Sequence, residues 1–194
     1  MFREYDIRGR ESEQELNVNS ITVIVKAYGT FLRKNHIIGA VVGHDNRRTS
    51  KDFYQASISA LRSTGVNVIG LGICLTPMVY WAPYYFKVKG GLMVTASHNP
   101  AGWNGLKLSI DYSVTLSGAQ IQEIRRLAET EEFAIGSSSL REENISEAYF
   151  DDLLSRAKLH RKLKVVANTA NATSCMFSPE IFRRFGCEVI EHNT

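Results

Sequence analysis

Short β-branched apolar runs alternate with one-sided helical stripes along the first two thirds of this chain, an order that few architectures accept other than a sheet with helices on its faces. The first stripe is Ile21, Ile24, Val25, Tyr28, Phe31 and Leu32, a helix with Asn19 as its expected cap. Ile37 to Val42 is short and continuous, as suits a strand buried on both faces. A helix over 50–63 follows, with Phe53, Ala56, Ala60 and Leu61 on one side and Gly65 as its stop. Val66 to Ile69 reads as a second strand, 77–85 as a short aromatic helix, and 91–96 as a third strand. Only nine residues separate Ala96 from the next extended stretch, Leu106 to Ser109. That link is too short for a helical crossover, so the fourth strand is expected antiparallel to the third. The pattern predicts a three-layer α/β/α domain with a mixed four-stranded sheet.

Ser117 and Gln120 form a capping-box pattern ahead of Ile121, Ile124, Leu127 and Ala128. The first domain is expected over 1–135, and 136–144, which holds Gly136-Ser137-Ser138-Ser139, has the composition of a linker. Beyond it, Asn144 and Glu147 are candidate caps for a helix carrying Tyr149, Phe150, Leu153, Leu154 and Ala157. A strand over 163–167, a helix opened by Ser178-Pro179 and stopped by Gly186, and a strand over 187–190 make one β-α-β unit. Two strands bury only one narrow face. Residues 145–194 are therefore expected to be the incomplete start of a second α/β domain, prone to self-association through an open edge and an apolar face.

Charge is nearly silent about partners, since 23 basic and 20 acidic residues leave +3, too little to argue for nucleic acid or an anionic membrane surface. No apolar run approaches the ~20 residues that cross a bilayer. Cys74, Cys175 and Cys187 lack metal-ligand spacing and are odd in number, and the N-terminal segment lacks the apolar stretch of a secretory signal. A cytoplasmic location is the expectation.

Thr95-Ala96-Ser97-His98-Asn99-Pro100 lies where a buried strand runs out into a loop, the place at which open α/β sheets present reactive groups. Ser97 either reaches a ligand there or, with Asn99, stabilises a turn ahead of Pro100. A Ser-His-Asp hydrolase is disfavoured: the glycine-flanked elbow is missing, and His98 is poorly placed to serve its own neighbour as a base. Gly70-Leu71-Gly72 lacks the third glycine of a dinucleotide fingerprint, and there is no G-x-x-x-x-G-K-[ST] loop. Basic residues recur beside polar loop residues at Arg8-Gly9, at 45–48 and at 104–107. Converging beside Ser97, they would make an anion site.

Taken together, these motifs resemble the α-D-phosphohexomutase family, the phosphoglucomutases and phosphomannomutases. Phe2 to Gly9 resembles the family's opening motif, Val42 to Arg47 its G-R-D-x-R segment, Thr95 to Pro100 its phosphoserine loop, and Asn104-Gly105-Leu106-Lys107 its N-G-x-K. The resemblance implies that Ser97 carries a phosphoryl group and gives it to a hexose monophosphate. The resulting bisphosphate turns around and returns its other phosphate, so that phosphate moves between the C1 and C6 oxygens. It implies Arg8 and Lys107 as catalytic proton-transfer or charge-stabilising groups, His98 and Asn99 as shapers of the loop and the phosphate contacts, and Tyr5 and Arg47 as supports of the phosphate site. It further implies Mg2+, met in this chain only through the phosphate on Ser97, and a hexose 1,6-bisphosphate as activator.

The sequence departs from the family at several points. His44 stands where the family has arginine, which replaces a permanent charge by a group largely neutral at pH 7. In Ala167 to Ala172, Ala172 replaces a glycine, so a left-handed turn there is expected to cost energy. The D-x-D-x-D-R magnesium loop, the sugar-selecting loop and the R-x-S-G-T-x-P phosphate clamp are absent. The chain is thus expected to be the N-terminal portion of a longer mutase, nearly inactive alone and completed by the C-terminal domains or a complementary chain. The rival reading is a non-catalytic module of the same fold that binds sugar phosphate or protein, for which Ser97→Ala would change nothing measurable.

Overall fold

In the computed structural model, which describes residues 1–194, the chain forms two units, Met1–Glu143 and Asn144–Thr194. In the first, helix α1 (Val18–Lys34) buries Ile21, Ile24, Val25, Tyr28, Phe31 and Leu32, the stripe read from the sequence. Its cap is Asn17 rather than Asn19. The Asn17 Oδ1 accepts from the N–H groups of Asn19 and Ser20, both at 3.0 Å, while the Ser20 hydroxyl accepts from the Asn17 N–H. Ser20 stands three residues after Asn17 and closes this reciprocal box, whereas Thr22, three after Asn19, donates back to the Val18 carbonyl.

The sheet is larger than the four strands expected. It has seven, in the order β1 (Ile7–Arg10), β5 (Trp103–Ile110), β4 (Gly90–Val94), β2 (Gly39–His44), β3 (Asn67–Ile73) and β7 (Leu140–Glu142), with β6 (Val114–Thr115) paired to β5. Strands β2, β3, β4 and β7 run parallel, and β5 is antiparallel to β4, as the short link requires. The three added strands are short and polar. Strand β7 lies inside the segment expected to be a linker: its Leu140, Arg141 and Glu142 pair with Val68, Ile69 and Gly70. A solvent-facing edge strand needs no apolar pattern, so none announced it.

Side chains alternate across the sheet. Ala40, Val42, Leu92 and Val94 join the core shared with α1, α2 (Ser50–Ser63) and α4 (Gly118–Thr130), whereas Val41 and Met93 are buried outside that cluster. The opposite face is covered by α3 (Thr76–Phe86), which packs on β2 and β4 and buries Met78, Val79 and Ala82. This completes three layers. Tyr28 ties the first core to the sheet: its fully buried hydroxyl donates to the Ser109 carbonyl (2.6 Å) and accepts from the Gly91 N–H (3.1 Å). Helix α4 opens with the expected box, the Gln120 Oε1 accepting from the Ser117 N–H at 2.9 Å.

The second unit holds α5 (Ser146–Arg156), β8 (Lys164–Asn168), a 3-10 turn (Thr173–Met176), α6 (Ser178–Arg184) and β9 (Glu188–His192), with β8 and β9 parallel. The N-cap of α5 is Ile145 rather than Asn144, whose side chain accepts from the Ser146 N–H one position ahead of the cap, and Glu147 is drawn away to Arg184, which it meets at 2.8 and 2.9 Å. Arg184 also lies over the Phe150 ring. The left-handed turn expected at Ala172 falls instead on Ala170 (φ 49°) and Asn171 (φ 55°), and Ala172 is extended at φ −84°. Asn168 holds the turn by accepting from the Ala170 N–H at 3.1 Å. Val166 and Ile190 are register partners and both stay exposed, so one patch of this small sheet remains apolar to solvent.

Candidate active site

The loop that follows β4 is held from within the protein by one arginine. Arg47 donates from Nη2 to the carbonyls of Ser97 (3.0 Å) and Asn99 (2.6 Å), and from Nη1 to those of Pro100 (3.0 Å) and Trp103 (3.1 Å). Its Nε lies 3.3 Å from Asp45 Oδ2. Four of five N–H groups thus go to main-chain oxygens and the fifth faces a carboxylate. Arg47 was expected to support the phosphate site; its guanidinium is committed to the loop itself.

The grip is reinforced from behind. Asp45 Oδ1 accepts from the Arg47 N–H and from the buried Ser50 hydroxyl. Asn104, wholly buried, donates to Thr49 Oγ1 (2.9 Å) and Ser50 Oγ (3.0 Å), and its Oδ1 accepts from the Gly105 N–H (2.8 Å). A buried polar set of this kind is rigid because each lost partner strands another group. The G-x-D-x-R-like segment and the N-G-x-K-like segment are therefore one framework beneath the loop. His44 lies in the first segment but makes none of these contacts to the loop: its Nδ1 lies 2.7 Å from the Asp45 carbonyl and its ring packs on Tyr54.

Ser97 sits exposed at the loop's crest in a left-handed conformation, φ 55°, which costs a serine about 1 kcal/mol and persists because the surroundings impose it. Its N–H donates to Thr95 Oγ1 (2.9 Å), and the Asn99 N–H closes a turn onto the Ala96 carbonyl (3.0 Å). The turn reading and the ligand-presenting reading are thus compatible, since the turn lifts the hydroxyl outward. His98 is exposed too, its Nδ1 3.4 Å from Ser97 Oγ, a long and weak contact.

Beside the loop, β1 and β5 pair with Arg8 opposite Gly105 and Ile7 opposite Leu106. Gly105 allows this approach, because a Cβ there would lie 2.3 Å from the Ile7 carbonyl and 3.2 Å from both Arg8 Cγ and the Thr95 carbonyl. Arg8 and the root of the loop therefore flank one glycine. Arg8 grips Asp6 Oδ2 through Nε (2.7 Å) and Nη2 (2.6 Å), and Lys107 Nζ stands 4.0 Å from the same oxygen. Asp6 is buried, and it gathers two of the expected basic residues.

A cleft of about 400 Å3 opens here, lined by Arg3, Glu4, Tyr5, Asp6, Arg8, Asn99 and Trp103. Of the expected residues it brings together Tyr5, Arg8 and Asn99; Ser97 and His98 stand two and one residues ahead of its wall, and Lys107 meets it through Asp6. Tyr5 is exposed and donates to Glu4 Oε1 (2.9 Å), a contact that raises its phenol above the usual range. Asn99 Nδ2 is buried with no acceptor in the protein, an unsatisfied donor. Asp6, Asp45 and Asn104 stand in the motifs read from the sequence, which gave them no role of their own. The signal for the first two was present: Asp6-x-Arg8 and Asp45-x-Arg47 place each acid two positions before its arginine.

The fold and the loop define a three-layered α/β/α domain that presents a strained, exposed serine beside gathered cations. Comparison with known proteins gives its family. Residues 1–135 match the family described as phosphoglucomutase/phosphomannomutase, alpha/beta/alpha domain I. A phosphomannomutase/phosphoglucomutase of Pseudomonas syringae pv. tomato is 33% identical over 190 residues, covering 98% of this chain and 40% of that protein. A phosphomannomutase of Escherichia coli is 36% identical over 192 residues, covering 95% and 41%. A crystal structure of a phosphoglucomutase/phosphomannomutase family protein from Burkholderia thailandensis superposes with a TM-score of 0.93 at 27% identity, covering 99% of this chain and 43% of that one. The chain belongs to the phosphoglucomutase/phosphomannomutase family, and it spans about two fifths of the length of the curated relatives it matches.

Proposed function

We propose that this chain supplies the phosphate-carrying part of a hexose-phosphate mutase, with Ser97 Oγ as the atom that holds the phosphoryl group. The observation that carries the reading is the loop itself: a serine at φ 55°, exposed, gripped by Arg47 through four carbonyls and adjoining a cleft that contains Arg8 and Asn99. Phosphoryl transfer asks for in-line positioning and for neutralisation of the equatorial oxygens, and both are served by a fixed loop beside cations.

In the first step a hydroxyl of a bound hexose monophosphate attacks phosphoserine. Its oxygen gains the bond to phosphorus, its proton passes to a base, and Ser97 Oγ leaves with the bonding pair and takes up a proton. The bisphosphate then reorients, and Ser97 Oγ attacks the other phosphate, returning its proton to a base while the sugar oxygen leaves with the bonding pair and is protonated, so the net change is transfer between the C1 and C6 oxygens. Arg8 and Lys107 stabilise charge on the moving group, and Asp6 keeps both in place. The Asn99 amide, lacking an acceptor, donates to an oxygen of the ligand. Hexose 1,6-bisphosphate primes the serine.

The donor set for magnesium does not assemble within this chain. No three His, Cys, Asp or Glu side chains gather at one point, and of the two carboxylates of the cleft Asp6 is taken by Arg8 and Glu4 accepts from Tyr5. The remaining chemistry is assigned to segments that complete the chain in its longer relatives. Incubation with glucose 1,6-bisphosphate followed by intact mass and peptide mapping tests the reading: a phosphate adduct on Ser97, lost in Ser97→Ala, supports it. Mixing with the remaining segments of a relative should restore mutase turnover that depends on Ser97. Turnover that survives Ser97→Ala would sink it.

A further inference from the structure

The peptide unit between Ser97 and His98 has a fixed orientation whose other end is unused. Its carbonyl is the Ser97 oxygen, which accepts from Arg47 Nη2 at 3.0 Å on the protein side of the loop. The chain has no cis peptide bonds, so this unit is planar and trans, and its N–H points opposite to its C=O. That N–H belongs to His98. It makes no hydrogen bond within the protein, whereas the neighbouring N–H groups are taken, Ser97's by Thr95 Oγ1 and Asn99's by the Ala96 carbonyl. The carbonyl is turned inward to a guanidinium, so the His98 N–H faces outward, on the side where the exposed Ser97 side chain stands.

We propose that Arg47 is a positioning residue that aims the His98 backbone N–H as a fixed donor to the phosphoryl group carried by Ser97. The inference deepens the mutase reading and rests on it. Two features suit this role. An Arg fork holding several carbonyls at once fixes the loop's rotation as well as its position, which a single Lys ammonium does not. A main-chain donor needs no side-chain ordering when charge develops on the phosphoryl oxygens, and a donor held in advance stabilises that charge without reorganisation. Polarisation adds to it: a peptide whose oxygen accepts from a cation is a stronger donor at its nitrogen.

The test uses this chain with phosphoserine placed at position 97 during synthesis, so that no phosphate transfer is required. Amide spectra of the phosphorylated protein are recorded from pH 4.5 to 8. The His98 amide proton should move downfield as the phosphate gains its second charge, with a midpoint near the phosphate's own of about 6, and should exchange about tenfold more slowly than in the unmodified chain. In Arg47→Lys the charge remains but the fork is lost, and the downfield movement should collapse. Amides of β2 and β4 report whether that variant keeps its sheet. A His98 amide that ignores the titration in the phosphorylated wild type overturns the proposal, whatever the variant does; so does an undiminished movement in a folded Arg47→Lys. Because the phosphoserine is installed, failure of the chain to accept phosphate from a hexose bisphosphate would count against the function and leave this result standing.

Discussion

Asp6 and Arg8 meet through a forked contact, Nε and Nη2 of the arginine at 2.7 and 2.6 Å from one carboxylate oxygen, on the strand that carries the expected catalytic arginine. Lys107 approaches the same oxygen from the neighbouring strand. One buried acid thus sets where two cations stand. Asp6→Asn should release both, lowering stability by about 1–3 kcal/mol. It should also raise the affinity for inorganic phosphate, since a negative charge leaves the cleft. Urea unfolding and a phosphate titration check the two outcomes.

Gly105→Ala should be damaging despite adding one methyl group. Its Cβ would fall 2.3 Å from the Ile7 carbonyl, and main chain cannot yield as a flexible side chain does. A loss of about 2–4 kcal/mol is expected, with displacement of β1 and of Arg8 from the loop. Thermal unfolding measures the first effect. Faster amide exchange at Ile7 and Gly9 measures the second.

Alkaline pH should weaken the first unit through Cys74. Burial pushes this thiol up from 9.0 to about 12, so the folded chain keeps a proton that the unfolded chain releases. The stabilisation is complete below pH 9.0 and is lost as pH rises toward 12, on the order of 4 kcal/mol across that window. Cys74→Ala should flatten that part of the stability profile. The same burial leaves Cys74 slow toward iodoacetamide at pH 8, with the half-buried Cys175 labelled first.

The exposed register pair Val166 and Ile190 should make the second unit adhere to other copies at high concentration. Replacing both by threonine keeps β-branching and removes the apolar patch. Sedimentation should then show a smaller concentration-dependent increase in mass than the unaltered chain.

Much of this architecture was legible because its signals are local. Helix α2 was expected over 50–63 and spans Ser50–Ser63, and the box at Ser117 and Gln120 was read from two residues three apart. The antiparallel turn-back of β5 followed from the length of a link. Strands β1 and β7 were not legible, because Ile7-Arg8-Gly9-Arg10 and Leu140-Arg141-Glu142 are strands only by virtue of the neighbours they pair with. The clamp on the loop was hidden for a different reason. The partners of Arg47 are carbonyl oxygens some fifty positions away, and every residue type carries one. Likewise, nothing in the spacing of Arg8 and Lys107 reveals that Asp6 joins them until the register of β1 on β5 is known.

Because Arg47 meets the loop only at main-chain oxygens, its hold does not depend on which side chains occupy the crest. Shape and chemistry are therefore separable at this spot: the exposed side chains at 97 and 98 can be exchanged while the backbone keeps its course. A segment built this way can be retuned one residue at a time without first being refolded.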